Sequence, residues 1–275
     1  MKKTLLLLTI CLLQLSAFAF QFEKGGVAYT TEGEGKVSVS AKRGGYGEHV
    51  SIPRKVKHND KWYNVVGIGY GAFQNNKKLG KLSIAASLEY IGDYAFAGCT
   101  ELFDIYIPAS VTYIGNSAFR NCTNLTLVIM PGDVVSIPPG AFSGCTSLST
   151  FYIPQTCESI GESAFKNCSS LIAIHIPNKV KQIGSQAFQN CTNLQLLTLP
   201  LSLTSLSNHA FANCSKLHTI VAPWYSPVYA PSQVFDGVDM KKCKLNVPKK
   251  AVEKYKNAQT WKYFYTIEET EEKQP

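Results

Sequence analysis

The chain has 275 residues, of which 45% are hydrophobic and 17% are charged, so it can bury a sizeable core. Its formal net charge is +8, and the charges are scattered without any nucleic-acid motif, so we expect no nucleic-acid partner. The densest lysine stretch runs from Lys249 to Lys262. We interpret it as the solvated face of a terminal helix rather than as a patch for acidic polymers.

Residues 1–19 have the features of an export signal. Lys2 and Lys3 precede the apolar run Thr4–Leu13, and Ala17–Ala19 is a small-x-small cleavage site. The apolar run is shorter than the roughly 20 residues that a membrane-spanning helix needs. We therefore expect cleavage near Ala19 and no membrane span. The mature chain would then be secreted, or held in the periplasm or at the cell surface.

Residues 20–66 alternate β-forming segments with turn residues. Four short strands are predicted, at Val27–Thr30, Val37–Ser40, His49–Pro53 and Trp62–Val66. Because this segment lacks the repeat that follows it, we expect a β-rich N-terminal cap. Such a cap would cover the first repeat and blunt an unpaired sheet edge.

The pair Ala-Phe then recurs with a fixed spacing of 23 residues. Its copies are Ala72-Phe73, Ala95-Phe96, Ala118-Phe119, Ala141-Phe142, Ala164-Phe165, Ala187-Phe188 and Ala210-Phe211, with the degenerate copy Val234-Phe235 after them. The full pattern is A-F-x-x-C-x-x-L-x-x-I-x-I-P-x-x-V-x-x-I. One unit cannot bury these apolar residues alone, whereas stacked units bury them as continuous rows. Residues 67–239 are therefore predicted to form an α/β solenoid of about eight 23-residue coils with short parallel strands.

Within each coil, the segment before the proline is predicted to be a strand that the proline ends. In the coil around Val128, alternation places Val128 and Met130 inward and Leu127 and Ile129 outward. The A-F-x-x-C stretch suits a turn or a short helix, with asparagines such as Asn121 as turn formers.

Six cysteines occupy one apolar row of the repeat: Cys99, Cys122, Cys145, Cys168, Cys191 and Cys214. Export favours disulfides, but parallel side chains that point the same way do not meet with disulfide geometry. We expect buried, mostly free thiols that act as small hydrophobic residues. Cys157 takes a position that valine holds in other coils, and Cys243 lies outside the row. No C-x-x-C or Cys/His cluster is present, so no metal site is predicted.

Residues 240–275 are predicted to form a helical C-terminal cap and a tail. Lys244–Pro248 reads as a final strand, and Lys249–Ala258 as an amphipathic helix. Trp261, Phe264 and Ile267 are expected to seal the last coil.

The run from Ile105 to Cys122 reads I-x-I-P-x-S-V-T-x-I-G-x-x-A-F-x-x-C and resembles the BspA-type leucine-rich repeat. The run from Leu245 to Phe264 is similar to the segment that ends many such proteins. The resemblance extends over roughly residues 20–267. It implies a bacterial secreted or surface leucine-rich repeat protein, and some relatives are adhesins that bind host extracellular-matrix or plasma proteins. The family has no catalytic motif to transfer.

In leucine-rich repeats the strands before each proline line one face, and here their outward residues form two apolar columns. The columns are Tyr106, Ile129, Tyr152, His175, Thr198, Val221 and Asp104, Leu127, Thr150, Ala173, Leu196, Thr219. We predict a ligand-binding surface, called the front patch, that consists of Phe103, Tyr106, Leu127, Ile129, Tyr152, Ile172 and His175. The alternative is that these residues only stabilise the sheet through cross-strand pairs.

The sequence leaves three classes of function to compare. A binding scaffold for protein partners, adhesin-like, agrees with the front patch. A glycan-binding protein of the bacterial envelope is the alternative, although its site should also contain clustered Asp, Asn or Arg. An enzyme is disfavoured because G-x-S-x-G, H-E-x-x-H, P-loop and G-x-G-x-x-G motifs are absent from the sequence. No catalytic residue and no cofactor are predicted.

Overall fold

The computed structural model describes residues 19–84, 88–130 and 134–270. The predicted export signal therefore lies outside the described residues, apart from Ala19. Its cleavage stays a prediction.

Short strands dominate the described chain. In chain order they are β1 Gln21–Lys24, β2 Val27–Thr31, β3 Lys36–Val39, β4 His49–Ile52, β5 Lys55–His58, β6 Lys61–Ile68, β7 Lys81–Ile84, β8 Tyr90–Ile91, β9 Asp104–Tyr106, β10 Tyr113–Ile114, β11 Leu127–Ile129, β12 Ser136–Ile137, β13 Ser159–Ile160, β14 Ala173–His175, β15 Gln182–Ile183, β16 Leu196–Thr198, β17 Ser205–Leu206, β18 Thr219–Val221, β19 Lys244–Val247 and β20 Thr266–Glu269. The helical segments are one α-helix, α1 Val252–Lys256, and two 3-10 helices, Ser232–Phe235 and Trp261–Tyr263.

These strands build a β-solenoid of about nine turns. Each coil passes through a front sheet, a back sheet and a corner that contains the Ala-Phe pair. The front sheet comprises the parallel pairings β4–β7, β9–β11 and β14–β16–β18–β19–β20. The back sheet comprises β3–β6–β8–β10 and β12–β13–β15–β17. The prediction of stacked coils with parallel strands is confirmed.

The N-terminal segment begins both sheets. The four predicted strands correspond to β2, β3, β4 and β6, and two strands that were not predicted, β1 and β5, form antiparallel hairpins with β2 and β6. β4 pairs with β7 in the front sheet, and β6 pairs with β8 in the back sheet. The first coils therefore grow directly from this segment.

The expected α/β character is not found, because the described chain contains little helix and the corners are turns, one of the two forms predicted for them. The residue before Ala and the second residue after Phe both take left-handed φ values, as at Ser117 (54°) and Asn121 (58°). A left-handed residue on each side prevents an α-helix from forming between them. The backbone donors turn to the next coil instead, and the Phe119 N–H donates to the Ala141 carbonyl at 2.8 Å. The corners thus form a third ladder between coils.

The predicted helical C-terminal cap is likewise not found, because the described end of the chain contains little helix. The helix expected over Lys249–Ala258 is only the five residues of α1, and left-handed backbone at Lys250 (φ 66°) and Thr260 (φ 71°) lies on either side of it. The end of the solenoid is formed mainly by β19 and β20, which extend the front sheet. Trp261 and Phe264 are buried there as predicted.

A row of stacked phenylalanine rings runs through the core. The eight rings of Phe73, Phe96, Phe119, Phe142, Phe165, Phe188, Phe211 and Phe235 follow each other at centroid distances of 5.1 to 5.9 Å. Tyr46 contacts the first ring at 4.5 Å, and Trp261 contacts the last at 5.7 Å. All eight side chains are buried, so the predicted apolar row is confirmed.

The six cysteines of the repeat form a second buried row beside the rings. Each thiol donates to the phenylalanine carbonyl 26 residues earlier, from Cys99 to Phe73 at 3.0 Å through to Cys214 to Phe188 at 3.3 Å. The thiols are unpaired and buried, as expected of small residues that fill the core. Cys157 and Cys243 are also buried thiols.

Candidate functional site

The parallel register of the front sheet aligns the predicted columns. In β9 and β11, Asp104 lies beside Leu127 and Tyr106 beside Ile129. In β14 and β16, Ala173 lies beside Leu196 and His175 beside Thr198. Adjacent strands are about 4.8 Å apart, so side chains in one column contact their neighbours.

Alternation along the strands separates core from surface as predicted. In β11, Val128 is buried and Met130, next to the strand, packs against the core, whereas Leu127 and Ile129 are exposed. The aromatic members are more exposed, with Phe103 at 59%, Tyr106 at 57% and Tyr152 at 82% of their surface. Ile172 and His175 are exposed as well. The structure thus places all seven residues of the front patch on the solvent side of one wall of the solenoid.

The coil around Tyr152 departs from the regular ladder. Its segment Phe151–Ile153 is not a strand, although Phe151 and Ile153 are buried like their counterparts in other coils. The Phe151 ring lies between two members of the ring row, at 4.8 Å from Phe142 and 4.9 Å from Phe165. Tyr152 therefore stands on an interrupted part of the front sheet, which agrees with its high exposure.

The apolar surface continues from the front patch onto the next coil. Leu196 on β16 is 41% exposed and lies beside Ala173. The predicted column already contained Leu196, so its position was readable from the repeat. Both ends of this apolar surface are polar, with His49 and Lys81 at the N-terminal end and an ion pair of 3.6 Å between Lys244 Nζ and Glu268 Oε2 at the other.

An open groove lies at the N-terminal end of the front patch. It has a volume of about 530 Å³, and Glu48, Lys81, Glu101 and Phe103 are among its lining residues. Phe103 thus joins the apolar surface to a charged rim. Asp104, exposed on β9 beside Leu127, is a carboxylate that lies within the apolar surface itself.

The back sheet has a different surface chemistry. Its outward residues include Tyr113 and Val135, both exposed, together with polar and charged groups. The Lys181 ammonium donates a hydrogen bond of 3.0 Å to Glu158 Oε2 and lowers the pKa of that carboxyl. This pair joins two neighbouring coils. The back sheet thus has paired charges on its surface, where the front patch has apolar side chains.

The thiols of the repeat are unsuited to nucleophilic chemistry. Burial raises the pKa of Cys99, Cys145 and Cys214 to about 12, so the reactive thiolate is not formed near neutral pH. Among residues 19–84, 88–130 and 134–270, no group of three or more His, Cys, Asp or Glu side chains is placed to hold a metal ion. Within the same described ranges, no helix is both long and apolar enough to cross a membrane.

Comparison with known proteins identifies the repeat. The sequence model of the BspA type leucine rich repeat region matches residues 66–195 and 159–260 in six copies, and these ranges together cover well over half of the chain. No curated protein matches the sequence.

Three solved structures are similar to this chain. A leucine-rich repeat protein from Eubacterium ventriosum is 27% identical, with a TM-score of 0.61 over 72% of this chain and 50% of that one. A leucine-rich repeat protein from Bacteroides ovatus is 25% identical, with a TM-score of 0.52 over 91% and 77%. A leucine rich cell surface protein from Faecalibacterium prausnitzii is 21% identical, with a TM-score of 0.55 over 94% and 97%, and supports the fold alone.

Proposed function

Because the chain belongs to the BspA-type leucine-rich repeat family, whose members are typically secreted or surface proteins of bacteria, we propose that it is an exported scaffold that binds a protein partner. Repeat scaffolds of this family are generally not enzymes, and we propose no catalytic role. We propose an N-terminal cap of residues 20–66, a solenoid of residues 67–239 and a C-terminal cap and tail of residues 240–275, after an export signal of residues 1–19.

The observation that carries this proposal is the exposed front patch. Its apolar and aromatic side chains lie on four successive coils of one wall, where each could have been polar without any cost to the core. Contiguous exposed apolar surface is typical of interaction sites. Tyrosine is favoured at such sites because it brings a large apolar area and a polar tip. We therefore assign Phe103, Tyr106, Leu127, Ile129, Tyr152, Ile172 and His175 to the partner interface, with Leu196 at its edge.

The chemistry of this patch favours a protein over a glycan. A sugar site requires several charged or amide groups between its aromatic rings, whereas this surface contains one carboxylate, Asp104 beside Leu127, and other charged groups stand at its ends. An apolar centre with a polar rim is the usual arrangement of a protein–protein interface. By resemblance to adhesive relatives, we propose host extracellular-matrix or plasma proteins as the partner class.

The test replaces two front tyrosines and compares them with two back tyrosines. Tyr106→Ala with Tyr152→Ala should keep the fold and weaken binding to the partner by about tenfold or more, since tyrosines at interface centres often contribute over 1 kcal/mol each. The control is Tyr113→Ala with Tyr229→Ala, because Tyr113 lies on β10 and Tyr229 pairs with β17, and both are exposed on the back sheet.

Binding is measured on immobilised extracellular-matrix and plasma proteins. Equal binding by the front variant and the wild type would remove the front patch as the interface. Failure of the wild type to bind any protein of the panel would overturn the adhesive role, while leaving the fold assignment intact.

A further inference from the structure

We propose a second binding surface, for an acidic polysaccharide, on the β5–β6 hairpin at the N-terminal end of the solenoid. Its elements are Trp62 and four lysines, Lys24, Lys55, Lys57 and Lys61, which together we call the hairpin patch. This surface is separate from the front patch and does not rest on the function proposed above.

The first observation is an exposed indole. Trp62 exposes 62% of its surface, whereas Trp224 exposes 6% and Trp261 is fully buried. The core of the hairpin does not need this ring, because Val56 and Tyr63 on the opposite side make the contacts to the interior. Exposing the apolar surface of a tryptophan to water is unfavourable, and such rings are enriched where a ligand covers them.

The second observation is the hairpin register, which groups lysines with the indole. The two-residue turn Asn59–Asp60 has left-handed φ values of 45° and 60°, as a type I′ turn requires. This turn places Lys57 directly opposite Trp62 on the same face. Lys55 lies two residues from Lys57, so alternation brings it to that face too.

The third observation is a pair of grooves that meet at Trp62. One has a volume of about 340 Å³ and is lined by Lys24, Lys55, Lys57 and Trp62 together with Ser51. The other has a volume of about 670 Å³ and is lined by Trp62 together with Lys61, Glu34, Thr31 and Phe20. The indole therefore stands as a ridge between two depressions.

The charge of the hairpin patch determines the charge of the ligand that it would bind. Of the four lysines, only Lys57 has an ion pair among the described residues, at 2.9 Å to Asp60. Asp60 pairs with Lys57, and Glu34 lines the same groove as Lys61, so these two carboxylates leave a positive excess over the four lysines. An anionic ligand is attracted, and the attraction weakens with salt because the Debye length falls from about 8 Å at 0.15 M to about 3 Å at 1 M.

The shape favours a polysaccharide over a lipid surface. A sugar ring can stack its C–H face on the indole while its acidic groups pair with lysines on one side. The next residues of the same polymer then lie in the grooves, where a hydroxyl group can bond to the exposed Ser51 side chain. A flat bilayer surface would contact the Trp62 ridge without following the two depressions beside it, whereas a single polymer chain can follow them.

The experiment uses the mature full-length chain with heparin and polygalacturonate as sulfated and carboxylated probes, and with dextran as the neutral control. Because Trp62 is the exposed tryptophan, acrylamide quenching of the intrinsic fluorescence reports on this site. We expect both anionic polymers to bind and to protect the fluorescence, dextran to do neither, and binding to weaken as salt is raised.

Variants identify the residues on which binding of the anionic polymers depends. Because Trp62 variants lack the fluorescent reporter, their binding is measured by isothermal titration calorimetry. Trp62→Ala should weaken binding by about tenfold or more, as expected of an aromatic hot spot, and Trp62→Phe should restore part of it. Lys55→Gln with Lys57→Gln should weaken binding and reduce its salt dependence. The control is Lys241→Gln with Lys242→Gln, which removes the same charge from exposed lysines, one of them also paired to an aspartate three residues away.

Several outcomes would overturn the proposal. They are equal loss in the two lysine variants, unchanged binding by Trp62→Ala, and binding of neither polymer. Tighter binding to phosphatidylserine vesicles than to either polymer would also overturn it and would indicate a membrane surface instead. Unfolding of a variant is detected by circular dichroism, and Trp62→Phe then carries the test.

Discussion

Replacing one ring of the phenylalanine row tests whether the solenoid is held by continuous packing. Phe142 is fully buried and contacts three rings, Phe119 at 5.3 Å, Phe165 at 5.5 Å and Phe151 at 4.8 Å. Phe→Ala in a core costs about 3–5 kcal/mol, and each well-placed ring pair contributes about 0.5–1.5 kcal/mol. We expect Phe142→Ala to cost about 5 kcal/mol, at the upper end of that range, because three ring contacts are lost together.

The measurement must respect the repeat architecture. Long repeat arrays can lose two-state behaviour, since each coil interacts only with its neighbours. We therefore expect the urea transition of Phe142→Ala, followed by circular dichroism, to shift downward and broaden. Hydrogen exchange should accelerate first in the coils next to Phe142, while the amides around Trp261 stay protected longer.

The matched control is Phe103→Ala, which removes the same ring from an exposed position of the front patch. Surface substitutions of this kind usually change stability by about 0.5 kcal/mol or less. An unchanged urea midpoint for Phe142→Ala, or a loss equal to that of Phe103→Ala, would refute the idea that the ring row stabilises the stack.

Two further predictions concern the polar corner and the thiols. Asn190 has φ 62° and joins a ladder, donating to Asn167 Oδ1 at 2.7 Å and accepting from Asn213 Nδ2 at 2.9 Å. Asn190→Ala should therefore lower the free energy of unfolding in urea by about 1–2 kcal/mol, because alanine is strained at this left-handed φ. Asn190→Gly should lower it less. A larger loss in Asn190→Gly than in Asn190→Ala would contradict the role of the left-handed backbone. Burial raises the pKa of Cys145 from 9.0 to about 12, so the stabilisation from its neutral thiol should be complete below pH 9 and decline as pH rises towards 12. The urea midpoint should fall over that range, and less so in Cys145→Ala; equal pH dependence in both proteins would count against this assignment.

The sequence predicts the interior of this protein well, because the same type of apolar residue recurs at each buried position in successive coils. Val128 and Leu127 have similar chemistry, yet the period assigns one to the core and the other to the surface, and the structure agrees. The front patch could be placed on one wall by the same counting. Whether it binds a partner cannot be read from the period, since exposure alone does not name a ligand.

The corners could not be predicted by the same counting. Ala-Phe followed by polar residues suits either a turn or a short helix, and nothing in Tyr94 or Ser117 signals the left-handed backbone that selects the turn. These residues take that conformation because the donors of the corner bond to the next coil, which is a tertiary effect. Asn121 was a readable signal, since asparagine tolerates left-handed φ, but one such residue is also compatible with a helix end.

The hairpin patch could have been predicted from the sequence and was not. The Asn59–Asp60 pair is a signal for a two-residue turn, and that turn alone fixes Lys57 opposite Trp62. The density of basic residues along the chain points instead to Lys249–Lys262. A high density shows only that basic residues are close in sequence, whereas a binding surface depends on which charged side chains lie on the same face.

The front patch can be explained by the different constraints on the inward and outward positions of the repeat. Phenylalanine, cysteine and leucine occupy buried rows that each coil must preserve, because loss of one ring removes contacts with both neighbours. The outward positions of the front sheet have no such constraint, and they vary from Asp104 through Leu127 to Thr150 along one column. A scaffold built this way can change its ligand without changing its core. We therefore propose a protein partner as the reason for the apolar character of the front patch.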